Sequence, residues 1–210
     1  MTMTNIIKKA IADDVFVPYF QPIVCMEERT CVGCETLIRW DRPVPGITST
    51  EQLIAEAVDH GIIFQLTEIM MEKTASILGA VKSKLPSDFY ISINVTPSCI
   101  LDVQFEDACS KFIRHFEDEN IKLVVELTEQ YPLLVTDKTF VHHIHDDNIS
   151  KYIIDSISSL ADKLDMRVIA EGVENERDAF YLYGKGISYM QGYYFSRALC
   201  GNEFIDWWLK

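Results

Sequence analysis

No stretch constrains the fold more than Cys31–Trp40, read C-V-G-C-E-T-L-I-R-W. It is an apolar run of strand type carrying one acid, Glu35, and one base, Arg39. Side chains alternate along a strand, so Glu35, Leu37 and Arg39 are predicted on one face, with Thr36 and Ile38 on the other. A carboxylate and a guanidinium on a buried strand face are costly unless each meets a counterpart. A metal ion under the acid and a phosphate on the arginine would satisfy both. A local ion pair at a strand end is the simpler alternative.

Around this strand the chain alternates between strand and helix patterns. Val15–Val24 is apolar but interrupted by Pro18 and Pro22, which predicts an edge or irregular strand rather than a central one. The polar turn Met26–Thr30 then returns the chain into 31–40, so the first pair should be an antiparallel hairpin. Ser49 with Gln52 has the spacing of a capping box for a helix reaching Asp59. Apolar residues at Ile62, Leu66, Ile69, Met70, Ile77 and Leu78 mark a long helix over Ile62–Lys82. Further strands are predicted at Phe89–Val95, Lys122–Thr128, Arg167–Glu171 and Tyr189–Phe195. Further helices fall at Asn5–Ala12, Phe105–Phe116, Ile149–Leu164, Glu176–Tyr183 and Gly201–Leu209.

Polar residues gather at the C-terminal ends of these apolar strands, the layout of a parallel α/β barrel of TIM type with its site on one rim. Glu35, Asn94, Glu126, Glu171 and Gln191 should converge there. Carboxylate and amide ligands without thiol or imidazole point to Mg²⁺, Mn²⁺ or Ca²⁺ rather than zinc. Each residue alone is also compatible with a satisfied polar group at a strand end.

The 210 residues fit a single domain, 1–210, with 48% hydrophobic residues for its core. A net charge of -13 argues against a nucleic-acid polymer as partner, and a small anionic ligand would need cations brought to it. No window approaches the run of about 20 apolar residues that spans a bilayer, so no membrane association is expected. Met1–Asp14 is polar and carries Lys8 and Lys9, unlike a signal peptide, which implies a cytoplasmic protein. The six cysteines then read as reduced thiols. Cys31 and Cys34 match C-x-x-C, yet their odd spacing on a strand should send them to opposite faces.

Six segments in order resemble the EAL-domain phosphodiesterases, which cleave the bacterial messenger cyclic di-GMP. Tyr19–Ile23 is similar to the family's opening Y-x-Q-P-I, and Val32–Trp40 resembles V-G-x-E-A-L-L-R-W with E-T-L in place of E-A-L. Ser92–Pro97 resembles S-V-N-x-S-P, and Glu126–Glu129 is similar to E-x-T-E. Ile169–Glu174 and Gln191–Phe195 resemble the last two motifs. The resemblance implies that Glu35, Asn94 and Glu126 ligate a divalent metal, Mg²⁺ or Mn²⁺, with Glu129 in support. It implies that Glu171 is an acid beside the attacking water and that Gln191 lies beside the site. Gln21, Leu37 and Arg39 would contact the nucleotide, Arg39 through phosphate, and the product would be linear pGpG.

The resemblance breaks after Glu129. The family carries there a long segment with an Asp-Asp-Phe-Gly motif and a Lys-x-Asp motif. Here Gln130–Thr136 runs straight into Asp137–Val141, which resembles that segment's far end. One strand–helix unit of a barrel takes about 30 residues, so an internal deletion near 130–137 should remove about two strands. Neither Asp13-Asp14 nor Asp146-Asp147 has the neighbours that would replace the missing motif. Without the metal-bridging acids and the lysine, catalysis should be lost or strongly reduced. Exposed barrel edges invite pairing with a second copy. Three readings stay open: an impaired phosphodiesterase, a module that binds cyclic di-GMP or a protein partner without cleavage, and a destabilised fragment.

Other features have plainer accounts. His142, His143 and His145 with Asp146 could form a metal cluster but suit an exposed helix end as well. Trp207 and Trp208 could mark a partner surface, though one packing on the barrel with the other partly exposed is simpler. Met70-Met71 reads as core filling.

Overall fold

The hairpin is the first element the sequence dictates, and it forms. In the computed structural model, which describes residues 2–100, 102–116, 121–127, 141, 150–152, 154–155, 158 and 168–209, strand β1 (Phe16–Cys25) pairs antiparallel with β2 (Thr30–Trp40). A helix, α1 (Met3–Ala12), precedes them and is capped by the Thr2 side chain. After β2 come α2 (Thr50–Asp59) and α3 (Ile63–Gly79), which carry the chain to β3 (Tyr90–Val95), parallel to β2. A short α4 (Pro97–Ile100) and α5 (Phe105–Arg114) then lead to β4 (Lys122–Leu127), parallel to β3. On the other flank β5 (Ile169–Ala170), α6 (Glu176–Gly184) and β6 (Tyr189–Met190) form a parallel unit. The short β7 (Leu199–Cys200) leads into α7 (Gly201–Trp208). The sheet order is β4-β3-β2-β1-β6-β5, with β7 also on β1. This is a curled, incomplete barrel of TIM type. Among the described residues β4 and β5 are its two ends, and most of the chain between them, 128–168, lies outside the described residues.

Two expectations are corrected. β1 is central, not an edge: β2 pairs along one side, while β6 and β7 pair along the other. The prolines are tolerated because that second side is paired only at Tyr19–Phe20 and at Val24–Cys25, leaving Pro18 and Pro22 outside both contacts. The C-x-x-C thiols do not part to opposite environments either. Between Ile23 opposite Gly33 and Val24 opposite Cys31 the register slips, so Val32 is an extra residue that resets the alternation. Cys31 and Cys34 are both buried in one apolar core. All six cysteines are free. Burial pushes the Cys31 thiol up to about 12, and burial together with the neighbouring Cys31 raises that of Cys34. Both should therefore resist iodoacetamide at pH 8 in the native protein, while the partly exposed Cys200 is modified. Peptide mass mapping checks this, and rapid native labelling of Cys34 would refute it.

Helix boundaries follow the local signals. Ser49 caps α2 by accepting from the Gln52 backbone N–H at 3.2 Å, but the return bond of the expected box goes one residue further. Gln52 Oε1 accepts from the Thr48 backbone N–H instead, at 3.0 Å. In α3, Leu66, Met70, Met71, Ala75 and Leu78 are buried against the sheet, so the methionine pair is core. Trp207 and Trp208 are both half-buried against the same core, where one alone was expected to pack. The predicted strand Tyr189–Phe195 stops at Met190, because Phe195 and Ser196 donate back to the Gly192 carbonyl and close a turn. Of the predicted helix over Ile149–Leu164, residues 150–152, 154, 155 and 158 are helical and the rest lie outside the described residues.

Three buried hydroxyls among the described residues, those of Thr36, Thr74 and Tyr90, have no hydrogen-bond partner. Thr36 is buried and its hydroxyl has no hydrogen-bond partner. A buried unpaired hydroxyl costs about 1–3 kcal/mol. Thr36→Val keeps the shape and removes the orphan, so it should raise unfolding stability by about 1 kcal/mol in chemical denaturation. A loss of stability would show that the hydroxyl is satisfied after all.

Candidate functional site

Period-two alternation on β1 and β2 builds one wall of the site. Gln21 lies opposite Glu35 and Tyr19 opposite Leu37, and these residues with Arg39 line a cavity of about 510 Å³. Thr36 and Ile38 instead line a second cavity against α2 and α3, which Leu37 also reaches. The opposite wall comes from the ends of β5 and β6. Glu171, directly after β5, and Gln191, directly after β6, both line the first cavity.

Glu35 is the buried hub. Its Oε1 accepts from Asn94 Nδ2 at 2.6 Å, and its Oε2 accepts from Gln191 Nε2. One carboxylate thus ties the middle of β2 to the end of β3 and to the turn after β6, through charge-assisted hydrogen bonds stronger than neutral ones. Glu126 is reached from the same strand face. Asn94 is its register partner, and the buried Ser92 hydroxyl, two residues before Asn94, donates to Glu126 Oε1. Neither Glu126 nor Asn94 lines this cavity, and Asn94 lines the second one, so the rim residues form a hydrogen-bonded row of which only part faces the first opening. Ser92 is the member that sequence reasoning passed over; its i, i+2 relation to Asn94 was the signal.

The two C-terminal segments are locked together by backbone. Gln191 N–H donates to Ala170, Val173 N–H to Gln191, and Tyr194 N–H to Val173, at 2.8, 3.1 and 3.0 Å. A Cβ at Gly192 would sit 2.1 Å from the Val173 carbonyl oxygen, so only glycine permits this approach. The interlock is what brings Glu171 and Gln191 to one cavity.

Gln21 Nε2 donates to the Ser196 carbonyl at 3.3 Å, and Arg39 Nη1 to the Ile38 carbonyl at 2.7 Å. That bond uses one of the five N–H donors of the guanidinium. The cavity carries Glu35, Glu51, Glu171 and Glu174 against Arg39 and Arg197, an acidic balance that favours a cation. Glu35, Glu126 and the Asn94 amide offer hard oxygen donors, provided Asn94 turns its Oδ1 rather than Nδ2 inward. Magnesium takes one or two carboxylates while keeping several waters, and Glu35 with Glu126 would supply that number of carboxylates. Among the described residues no group of three or more His, Cys, Asp or Glu side chains is placed to hold a metal ion. Glu129 and the His142, His143, His145 and Asp146 group lie outside the described residues.

Known proteins place this arrangement. The EAL domain family model matches residues 4–136 and again 133–198. The chain is 34% identical over 245 residues to the cyclic di-GMP phosphodiesterase PdeL of Escherichia coli K12, covering 97% of this chain and 68% of PdeL. It is 32% identical over 247 residues to the probable cyclic di-GMP phosphodiesterase PdeG of the same strain, covering 98% of this chain but only 48% of PdeG. The fold is similar to that of PaMucR phosphodiesterase in its c-di-GMP complex, with a TM-score of 0.83 at 17% identity over 97% of this chain and 100% of that one. It is also similar to the EAL enzyme Bd1971 in its cAMP-bound form, with a TM-score of 0.83 at 23% identity over 97% of this chain and 69% of that one. No described helix is long and apolar enough to cross a membrane. The chain belongs to the EAL domain family.

Proposed function

We propose that this chain is a single-domain cyclic di-GMP phosphodiesterase module in which nucleotide binding has outlasted efficient hydrolysis. The observation that carries the binding half is Glu35, which accepts hydrogen bonds from Asn94 and Gln191 and lines the same cavity as Gln191, Gln21, Leu37 and Arg39. Arg39 takes a phosphate through its planar fork, and Leu37 and Gln21 contact the nucleotide. Glu35, Asn94 and Glu126 would hold one Mg²⁺ or Mn²⁺. A divalent ion there would polarise the phosphodiester and lower the pKa of water. Glu171 takes the proton of the attacking water, and Gln191 keeps the Glu35 carboxylate in place. Family descent supports the substrate, since PdeL carries the name cyclic di-GMP phosphodiesterase. The free thiols support a reducing, cytoplasmic setting.

The loss of hydrolysis rests on an internal deletion near 130–137. Two features support it: the family model matches in two pieces meeting at 133–136, and the PdeL alignment runs over 245 residues where this chain has 210. The Asp-Asp pair of the family has no counterpart, so a second metal lacks its cage and the rate should fall by orders of magnitude.

The test is turnover of cyclic di-GMP with Mg²⁺ or Mn²⁺, followed by chromatography of pGpG, beside a Glu35→Ala control. The expected result is calorimetric binding with turnover barely above the control. Fast, Glu35-dependent turnover would show that another group, such as one from a second copy of the chain, completes the site. No binding at any metal concentration would overturn the proposal and leave a protein partner as the better account.

A further inference from the structure

Two polar side chains share one face of β3, Ser92 and Asn94, and each holds one carboxylate of the row. In the strand register Glu35 on β2 lies opposite Ser92, and Glu126 on β4 lies opposite Asn94. The hydrogen bonds cross that register: Asn94 donates to Glu35, and Ser92 donates to Glu126. Glu35 therefore leans toward the C-terminal end of β3, where the rim lies. Glu126 leans the other way, back by two residues toward the N-terminal end. The cavities record the difference, since Glu35 lines the first and Glu126 lines neither. Ser92 is 0% exposed, so bulk water does not compete for its hydroxyl. Among the described residues it is the one hydrogen-bond donor to the Glu126 carboxylate.

A hydroxyl that donates to an ionised carboxylate makes one of the stronger hydrogen bonds open to a serine. Outer-shell partners of this kind ordinarily add metal affinity, because they hold a carboxylate where it ligates. Here the bond holds the carboxylate off the cavity, so its effect changes sign. Resting on the assignment of a divalent-metal site to Glu35, Asn94 and Glu126 above, we infer that Ser92 is a positioning residue that keeps Glu126 withdrawn from that site. Glu126 must leave Ser92 before it can ligate, just as Asn94 must turn its amide oxygen inward. The bond that satisfies Glu126 within the row thus opposes the ion, and Ser92 sets how tightly the ion is held.

The experiment is calorimetric titration of the full chain with MnCl₂ alone, without nucleotide. Ser92→Ala removes the donor and should bind Mn²⁺ about tenfold more tightly than the parent. Ser92→Cys, a weaker donor of similar shape, should fall between the two. In a Glu126→Gln background Ser92→Ala should make no difference, because the gain passes through that carboxylate. Superimposed melting curves exclude misfolding, and Ser92→Cys carries the test if the alanine variant unfolds. A purely structural serine would leave Mn²⁺ affinity within twofold of the parent, and a serine that aims Glu126 at the ion would weaken it on substitution. Either result overturns the inference, and loss of Mn²⁺ binding in Glu35→Ala then shows that the metal site itself stands. If neither the parent nor Ser92→Ala binds Mn²⁺, the metal assignment falls with the inference, and titration with cyclic di-GMP decides separately whether nucleotide binding survives.

Discussion

Gly192→Ala is expected to lower the unfolding free energy by about 3 kcal/mol and to abolish nucleotide binding with it. The added methyl would lie 2.1 Å from the Val173 carbonyl oxygen, 2.4 Å from its nitrogen and 2.6 Å from its carbon. These are backbone atoms, so no rotamer change relieves the overlap, and the turn must part from the 170–173 segment. The hydrogen bonds of Val173 and Tyr194 that join the two segments would be strained or lost. Since Gln191 Nε2 anchors Glu35 and Glu171 lies on the partner segment, the displacement reaches the site directly. Urea denaturation measures the first effect and titration with cyclic di-GMP the second. A variant of parental stability would mean that the interlock is looser than this packing requires.

Arg39→Met should have the largest effect on ligand with the least on fold, weakening cyclic di-GMP by about a hundredfold. Among the described residues the guanidinium hydrogen-bonds only to the adjacent Ile38 carbonyl, a local contact whose loss costs little. Its proposed work is on phosphate, in a cavity whose carboxylates outnumber its arginines, so no neighbour replaces it. Arg39→Lys should recover part of the loss, because charge returns without the bidentate fork. Binding of the methionine variant within a few-fold of the parent would remove phosphate recognition from Arg39. Parallel melts should superimpose, separating this result from the one at Gly192.

Much of the site was legible because strands obey a period that side-chain order alone reveals. The alternation placed Glu35 and Arg39 at one cavity and Thr36 and Ile38 at the other, with Leu37 reaching both. Asn94, Glu171 and Gln191 were legible as polar residues closing apolar strands. Ser92 was not, since a serine within a strand carries no local sign of what it touches.

The sequence by itself determined the hairpin, most of the order of the described strands and helices, the Ser49 cap of α2 and the faces that Glu35 to Arg39 take on β2. These depend on backbone geometry and near neighbours, which are written within a few residues of each other. Tertiary structure alone decided that β1 lies inside the sheet despite its prolines, because its second side is paired only where they are not. It decided that Cys31 and Cys34 share a core, because a bulge at Val32 depends on register with the partner strand. It also decided that Glu35 is held by Asn94 and Gln191, residues brought together from distant parts of the chain by curling of the sheet. Such contacts follow from how strands pair and close, and a residue's own neighbours in sequence do not encode that closure.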